Sequence, residues 1–228
     1  MAETLLSAEA VSRVFTTGAG DVHALTDVSM TVTKGELVVV RGPSGSGKTT
    51  LLNLLGGLDR PTRGRVLLGD GRELSALPEK EVLAVRRSRI GYVFQSFGLI
   101  PVLSAEENVE IPLRLLETDP AERQARVTAA LELVGLAGHA RQRPYELSGG
   151  QQQRVGIARA LVAEPDILIA DEPTGQLDSA TAATIMDLIS ELTHARGLAA
   201  VVSTHDPVLM ARADRVVELH DGALLTPA

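Results

Sequence analysis

Three short stretches of this chain carry residue types suited to phosphate and water chemistry. The first, GPSGSGKTT, runs from Gly42 to Thr50, after a β-branched run and before a helical pattern. Its spacing, G-x-x-x-x-G-K-[ST], lets the backbone curl so that successive N–H groups point inward at an anion. Gly42, Pro43, Ser44, Gly45, Ser46 and Gly47 make the curl, and Thr50 continues it into the helix. Lys48 is placed to reach the β- and γ-phosphates of a nucleoside triphosphate, and the Thr49 hydroxyl to ligate Mg²⁺. The second stretch, ILIADEP, closes a hydrophobic strand with two adjacent carboxylates at the edge where parallel sheets bind ligands. Successive strand residues face opposite sides, so the two acids take different tasks. Asp171 belongs to the Mg²⁺ shell and Glu172 is the general base for an attacking water.

The third stretch, ELSGGQQQRVGIARAL, sets Ser148, Gly149 and Gly150 at a helix start, where free N–H groups again suit an anion. One triphosphate does not need two such cradles on the same side. Two copies related by a two-fold axis could each lend this cradle to the nucleotide held by the other. The alternative is that Gly149 and Gly150 serve only close helix packing, and the residues alone leave both readings open.

These motifs need a scaffold, and the pattern of elements supplies it. ELVVVR, RIGYVFQ, DILIAD and LAAVVST are strand-length apolar runs, and TTLLNLLGG after the first of them is helical. SATAATIMDLISELTHARG has apolar residues at helical spacing, with Ser179 placed to cap it and Gly197 to end it. Strands alternating with helices predict an α/β fold with a parallel sheet. From Ser96 to about Gly138 helical patterns dominate: Ser104 with Glu107 forms a capping box, and Asp119-Pro120 with Glu122 opens a further helix. This middle segment reads as a helical subdomain inserted into the sheet domain.

Composition limits what the motifs can mean. At 228 residues, with 44% hydrophobic and 22% charged residues, the chain can bury a sizeable core. No apolar run approaches the roughly 18 residues of a membrane span. The first ten residues lack the basic and apolar segments of a secretion signal, and the chain has no cysteine, so a cytosolic location is expected. A net charge of -7 argues against a broad nucleic-acid footprint and leaves only a local basic patch such as RRSR, Arg86 to Arg89; no nucleic-acid partner is expected.

As a set, these motifs resemble the ATP-binding subunit of an ABC (ATP-binding cassette) transporter, in family order over nearly the whole chain. In that family GPSGSGKT is the Walker A loop, Gln95 in YVFQS the Q-loop and LSGGQ, which ends at Gln151, the signature. ILIADE is the Walker B strand, GQLD the D-loop and His205 in STHD the H-switch. The resemblance implies a single-domain P-loop NTPase fold: a catalytic core with a parallel sheet (about residues 1–95 and 155–228), an N-terminal antiparallel β portion and the helical insertion (about 96–154). It implies that Gln95 touches Mg²⁺ and water, that Ser148, Gly149, Gly150 and Gln151 clasp the partner's ATP, and that His205 contacts the γ-phosphate while holding Glu172. Asp178 would communicate between the two ATP sites of a homodimer. Phe15 falls where the family stacks an aromatic ring on adenine, usually tyrosine; core packing is its other reading. Gln176 likewise departs from the asparagine common in the D-loop.

Within the family, the stretches around these motifs look most like the MacB, LolD and FtsE group. That likeness implies a peripheral subunit on the cytoplasmic face of the inner membrane, driving a separate FtsX- or MacB-like permease by mechanotransmission, export or lipoprotein release. An FtsE-like regulatory role in envelope remodelling is the alternative. The permease contact is expected from Gln95 to Leu103, through residues such as Phe97, Leu99 and Ile100. Soluble relatives acting on DNA or ribosomes usually carry a coiled-coil insertion or two cassettes, which this chain lacks.

Overall fold

Alternate residues of the same buried strands feed two different cores, and this organises the molecule. Strands β3 (Leu37–Arg41), β5 (Ile90–Val93), β6 (Ile167–Asp171), β7 (Ala199–Ser203) and β8 (Arg215–His220) are parallel. The short β9 (Ala223–Leu224) pairs antiparallel with β8, and the sheet order is β5-β6-β7-β3-β8-β9. The computed structural model describes residues 3–18 and 20–225. Met1, Ala2, Ala19 and residues 226–228, including both ends of the span read as one domain, lie outside the described residues.

Leu37, Val39, Leu168, Ala170, Ala200 and Val202 point to one face of this sheet, where helices α3 (Ala105–Leu115), α4 (Pro120–Leu133), α5 (Gly149–Leu161) and α6 (Ser179–Arg196) cover them. Val38, Val40, Ile167, Ile169, Ala199 and Val201 point to the other face. There they meet helices α1 (Lys48–Leu55) and α2 (Glu79–Ser88) and a second, antiparallel sheet. That sheet has the order β2-β1-β4, from β1 (Thr4–Thr17), β2 (Gly20–Thr33) and β4 (Arg63–Leu68). A strand buried on both faces needs no polar alternation, which is why LVVV and AAVV read as continuous apolar runs. Full burial of each leucine, isoleucine or valine there contributes about 1.5–3 kcal/mol.

Helix boundaries follow local chemistry. Ser104 and Glu107 form the reciprocal capping box at α3, and Asp119 caps α4 with Pro120 at its first position. Gly197, at φ 66°, ends α6 in the left-handed conformation. One expectation is corrected: the cap of α6 is Asp178, and Ser179 is the first helical residue. Asp178 has the extended backbone of a cap, and one oxygen of its carboxylate accepts from both Ala180 N–H and Thr181 N–H. α5 continues unbroken through residue 154.

Candidate functional site

The curl at Gly42–Gly47 joins β3 to α1 and lies at the C-terminal edge of the parallel sheet. Its form depends on Gly47, which sits at φ 102°; a Cβ there would come within 2.4 Å of Ala24 O. The Oγ of Ser46 is buried and has no hydrogen-bond partner among the described residues. A buried, unpartnered hydroxyl in a left-handed glycine curl suits an anion, as does the N-terminus of α1. Lys48 is buried, and its ammonium donates to Gly42 O at 2.9 Å and Pro43 O at 3.1 Å.

Glu172 is where the separate motifs meet. Its Oε1 lies 3.8 Å from Lys48 Nζ and 3.8 Å from His205 Nδ1. Gln95 Nε2, beyond the end of β5, lies 3.4 Å from its Oε2. Residues separated by dozens of positions thus surround one carboxylate because β3, β5, β6 and β7 end side by side. Glu172 adopts φ 41°, a left-handed conformation that costs a non-glycine residue about 1–2 kcal/mol. Its peptide N–H donates to Ser203 Oγ at 2.7 Å, and that hydroxyl donates onward to Asp171 Oδ1 at 2.7 Å. The two acids therefore face different partners, Asp171 at the last position of β6 and Glu172 in the left-handed turn just beyond it. Ser203 is fully buried and lies opposite Asp171 in the β6–β7 register.

Ser203 was invisible in the sequence pattern. A polar residue ending an apolar strand was the only local signal, and its partner sits 32 positions away. Near Asp171, burial raises the Tyr92 phenol well above its ordinary pKa and the Asp171 carboxylate adds to the effect. Tyr92 donates its hydroxyl to Asn53 Oδ1 at 3.1 Å, tying β5 to α1. A cavity of about 150 Å³ opens beside Glu172 and His205, lined also by Thr174, Gly175 and Thr204.

Phe15 lies on β1 and is 38% exposed, so core packing does not account for it. The Arg13 guanidinium sits 4.4 Å from its ring centroid and is fixed by a bidentate pair with Asp59, at 2.8 and 3.0 Å. Cation–π contact and ion pair together hold one ring face and leave the aromatic partly open.

Ser148, Gly149, Gly150 and Gln151 stand apart from this cluster. Ser148 caps α5: its Oγ accepts from Gln151 N–H, and Gln151 Oε1 accepts from Ser148 N–H. Among the described residues no hydrogen bond or ion pair joins the four to the phosphate loop or to Glu172. A Cβ on Gly150 would meet Thr181 Cγ2 at 2.5 Å, and one on Gly149 would meet Leu177 Cδ2 at 3.3 Å. Close packing against the start of α6 is thus one use of the glycines. Asp178 ties the same corner together, since Thr181 Oγ1 donates to its Oδ2 at 2.7 Å. Hydrogen bonds from the Thr181 side chain and backbone hold the Asp178 carboxyl below the usual range.

Of the segment expected to meet a permease, Leu99 packs against the core, while Ile100 and Val102 are exposed. Buried Asn108 fastens it, accepting from Ile100 N–H at 2.7 Å and donating to the carbonyls of Ile100, Leu103 and Ser104.

A strand, a glycine-rich curl and a helix, with paired acids at the end of β6, one strand removed from β3, define a phosphate-loop nucleoside triphosphatase. Comparison with known proteins narrows the class. A family model described as ABC transporter matches residues 25–175. The chain is 48% identical over 204 residues to the ABC transporter ATP-binding protein YtrE of Bacillus subtilis, spanning 90% of this chain and 88% of that one. It is 43% identical over 226 residues to the macrolide export ATP-binding/permease protein MacB of Hyphomonas neptunium, spanning 99% of this chain but 35% of that longer protein. A solved dimeric structure of MJ0796, a bacterial ABC transporter cassette, superposes with a TM-score of 0.89 at 41% identity, covering 97% of each chain. A second MJ0796 structure, a post-hydrolysis state bound to ADP and Pi, superposes equally, with a TM-score of 0.89. The chain belongs to the ABC transporter family, as an ATPase cassette. Among the described residues no helix is long and apolar enough to cross a membrane.

Proposed function

We propose that two copies of this chain close around two ATP molecules and use their hydrolysis to drive an integral membrane permease of the FtsX or MacB kind. The observation that carries the catalytic part is the convergence of Lys48, Gln95 and His205 on the Glu172 carboxylate. Glu172 takes a proton from the attacking water, and His205 and Gln95 hold that water and the carboxylate in place. Lys48 and the amides of Ser44 to Lys48 bear the charge of the transferred phosphoryl group. The orphaned Ser46 hydroxyl fits a phosphate neighbour, and the Thr49 hydroxyl, Gln95 amide and Asp171 carboxylate are oxygen donors fit for Mg²⁺. When bound there, Mg²⁺ would neutralise charge on the phosphates. Phe15, braced by Arg13, stacks on adenine.

Ser148, Gly149, Gly150 and Gln151 of one copy grip the ATP of the other, and Asp178 links the two sites through the corner it shares with α5. The dimeric cassette among the similar structures supports this arrangement. The fused ATP-binding/permease relatives, of whose length the chain spans about a third, support a membrane partner. Docking near Gln95 to Leu103 at the cytoplasmic face would carry closure of the dimer to that partner. The test is Glu172→Gln: it should bind ATP, accumulate as a nucleotide-loaded dimer by gel filtration and hydrolyse about 10²–10⁴-fold more slowly. Unimpaired turnover would remove Glu172 as the base.

A further inference from the structure

His139 reaches the segment from Ser148 to Gln151 from outside every motif of the sequence. It closes a short helical turn, Ala137–His139, and is half-buried. Its Nδ1 lies 2.6 Å from Gln142 Oε1, and its Nε2 lies 3.4 Å from Gln151 Nε2. The turn itself is firmly held, with His139 N–H donating to Leu136 O at 2.9 Å and Gln142 N–H to His139 O at 3.0 Å. The first turn of α3 pins it further. Ala105 N–H donates to Gln142 O at 2.8 Å, and Glu106 N–H to Ala140 O at 2.9 Å.

One backbone amide sets the polarity of this chain of contacts. Ser148 N–H can only donate, so the Gln151 atom that it meets at 2.9 Å is the amide oxygen. Gln151 then turns its NH₂ group, also only a donor, toward His139. His139 Nε2 must therefore be bare, and the ring proton sits on Nδ1. Gln142 Oε1, an acceptor, receives that proton's hydrogen bond. The neutral imidazole thus holds the Gln151 amide in the one orientation that closes the capping box with Ser148. Ser148 Oγ in turn accepts from Gln151 N–H at 3.3 Å. The exposed hydroxyl keeps its own hydrogen, for which there is no acceptor among the described residues, to donate outward.

We infer that His139 is a positioning residue for the grip on a second copy's ATP: its bare Nε2 fixes the Gln151 amide, and through it the direction in which Ser148 presents its hydroxyl. The inference rests on the reading of two copies closed around nucleotide, and adds to that reading a residue from outside the gripping segment. Without an acceptor at Nε2 the Gln151 amide can turn over. Its NH₂ group then opposes the Ser148 N–H, two donors face each other, and the box opens. The phosphate loop does not feel this change, because no hydrogen bond or ion pair joins it to Ser148 or Gln151 among the described residues. ATP binding by one copy and closure of two copies are therefore separable at His139.

Glu172→Gln supplies the background for the test, since its ATP-loaded dimers should accumulate and their dissociation constant can be read by sedimentation velocity with Mg²⁺ and ATP. His139→Leu keeps the bulk and removes the acceptor. The loss of one hydrogen bond between neutral groups is worth about two- to tenfold at each of the two grips, so the dimer should loosen about four- to a hundredfold. The affinity of a single copy for mant-ATP, read by fluorescence below the dimerising concentration, should change by less than about twofold. His139→Gln, whose amide oxygen can stand where Nε2 stood, should bring dimerisation back to within about threefold of the His139 form. Nitrogen-15 spectra of the native chain, with the His139 signals assigned among five histidines by their loss in His139→Gln, should show a bare Nε2 and a protonated Nδ1. A protonated Nε2 would overturn the inference even if His139→Leu fails to fold. So would an unaltered dimer in His139→Leu, equal weakening by Leu and Gln, or a parallel loss of mant-ATP affinity. Absence of any ATP-driven dimer in Glu172→Gln with His139 intact defeats the shared-nucleotide reading and the inference with it, whereas a dimer indifferent to His139 defeats the inference alone.

Discussion

Replacing Ser203 with alanine tests whether the carboxylates proposed for catalysis are set by a buried hydroxyl behind them. The side chain is fully buried and makes two hydrogen bonds of 2.7 Å, accepting from the Glu172 amide and donating to Asp171. A bond to a charged acceptor is worth about 1.5–3 kcal/mol and one between neutral groups about 0.5–1.5 kcal/mol. Ser203→Ala should therefore cost about 2–4 kcal/mol of unfolding free energy, read by urea denaturation. The same change frees the left-handed turn that aims Glu172 at Lys48, Gln95 and His205. A misplacement of tenths of an ångström to one ångström should lower kcat about ten- to a hundredfold, with KM for ATP little altered. Ser203 is a positioning residue, so its effect on kcat should pass through Glu172, and any effect through Asp171 should show instead as a changed Mg²⁺ requirement. Added to Glu172→Gln, Ser203→Ala should slow hydrolysis no further, although the stability loss should persist. An equal kcat penalty in both backgrounds, or a stability change below about 0.5 kcal/mol, would refute the relay.

Other parts of the site make separate demands. Gly150→Ala should lower the melting temperature through its contact with Thr181 Cγ2, and Thr181→Ser, which deletes that methyl, should restore it. If Gly150 also serves the partner's ATP, hydrolysis stays impaired in the double variant; recovery of both properties would confine the glycine to packing. Arg13→Gln removes the cation from the Phe15 ring and should raise KM for ATP about two- to fivefold, with kcat nearly unchanged; an unaltered KM would detach Arg13 from nucleotide binding. A hydrogen bond from Arg72, with further help from Arg72 and Arg89 charge, lowers the Asp70 carboxyl from 3.8 to about 2. Its contribution to stability is therefore complete above pH 3.8 and lost as pH falls through about 2. Because Asp70 is well exposed the loss should stay below about 1 kcal/mol, and a pH titration of stability with Asp70→Asn should lack it.

Much of this molecule was decided within a few residues of chain, and that part was legible. The curl from Gly42 to Gly47, the capping box at Ser104, the helix start at Ser148 and the apolar strands ending at Arg41 and Asp171 need only local backbone geometry. Even there the helix after Asp178 shows the limit. Serine and aspartate both cap helices, and only the backbone conformation decided that Asp178 would do so. What the order of strands decided lay beyond reach. Ser203 meets Asp171 because β6 and β7 pair in that register, and Arg159 meets the loop after Gln95 because α5 lies across the end of β5. Arg13 finds Asp59 46 positions away. Such contacts join side chains whose separation along the chain carries no periodic signal, so packing alone brings them together. The grip proposed for Ser148 to Gln151 on a second copy's ATP belongs to a level higher still, since the same glycines already have a use against α6.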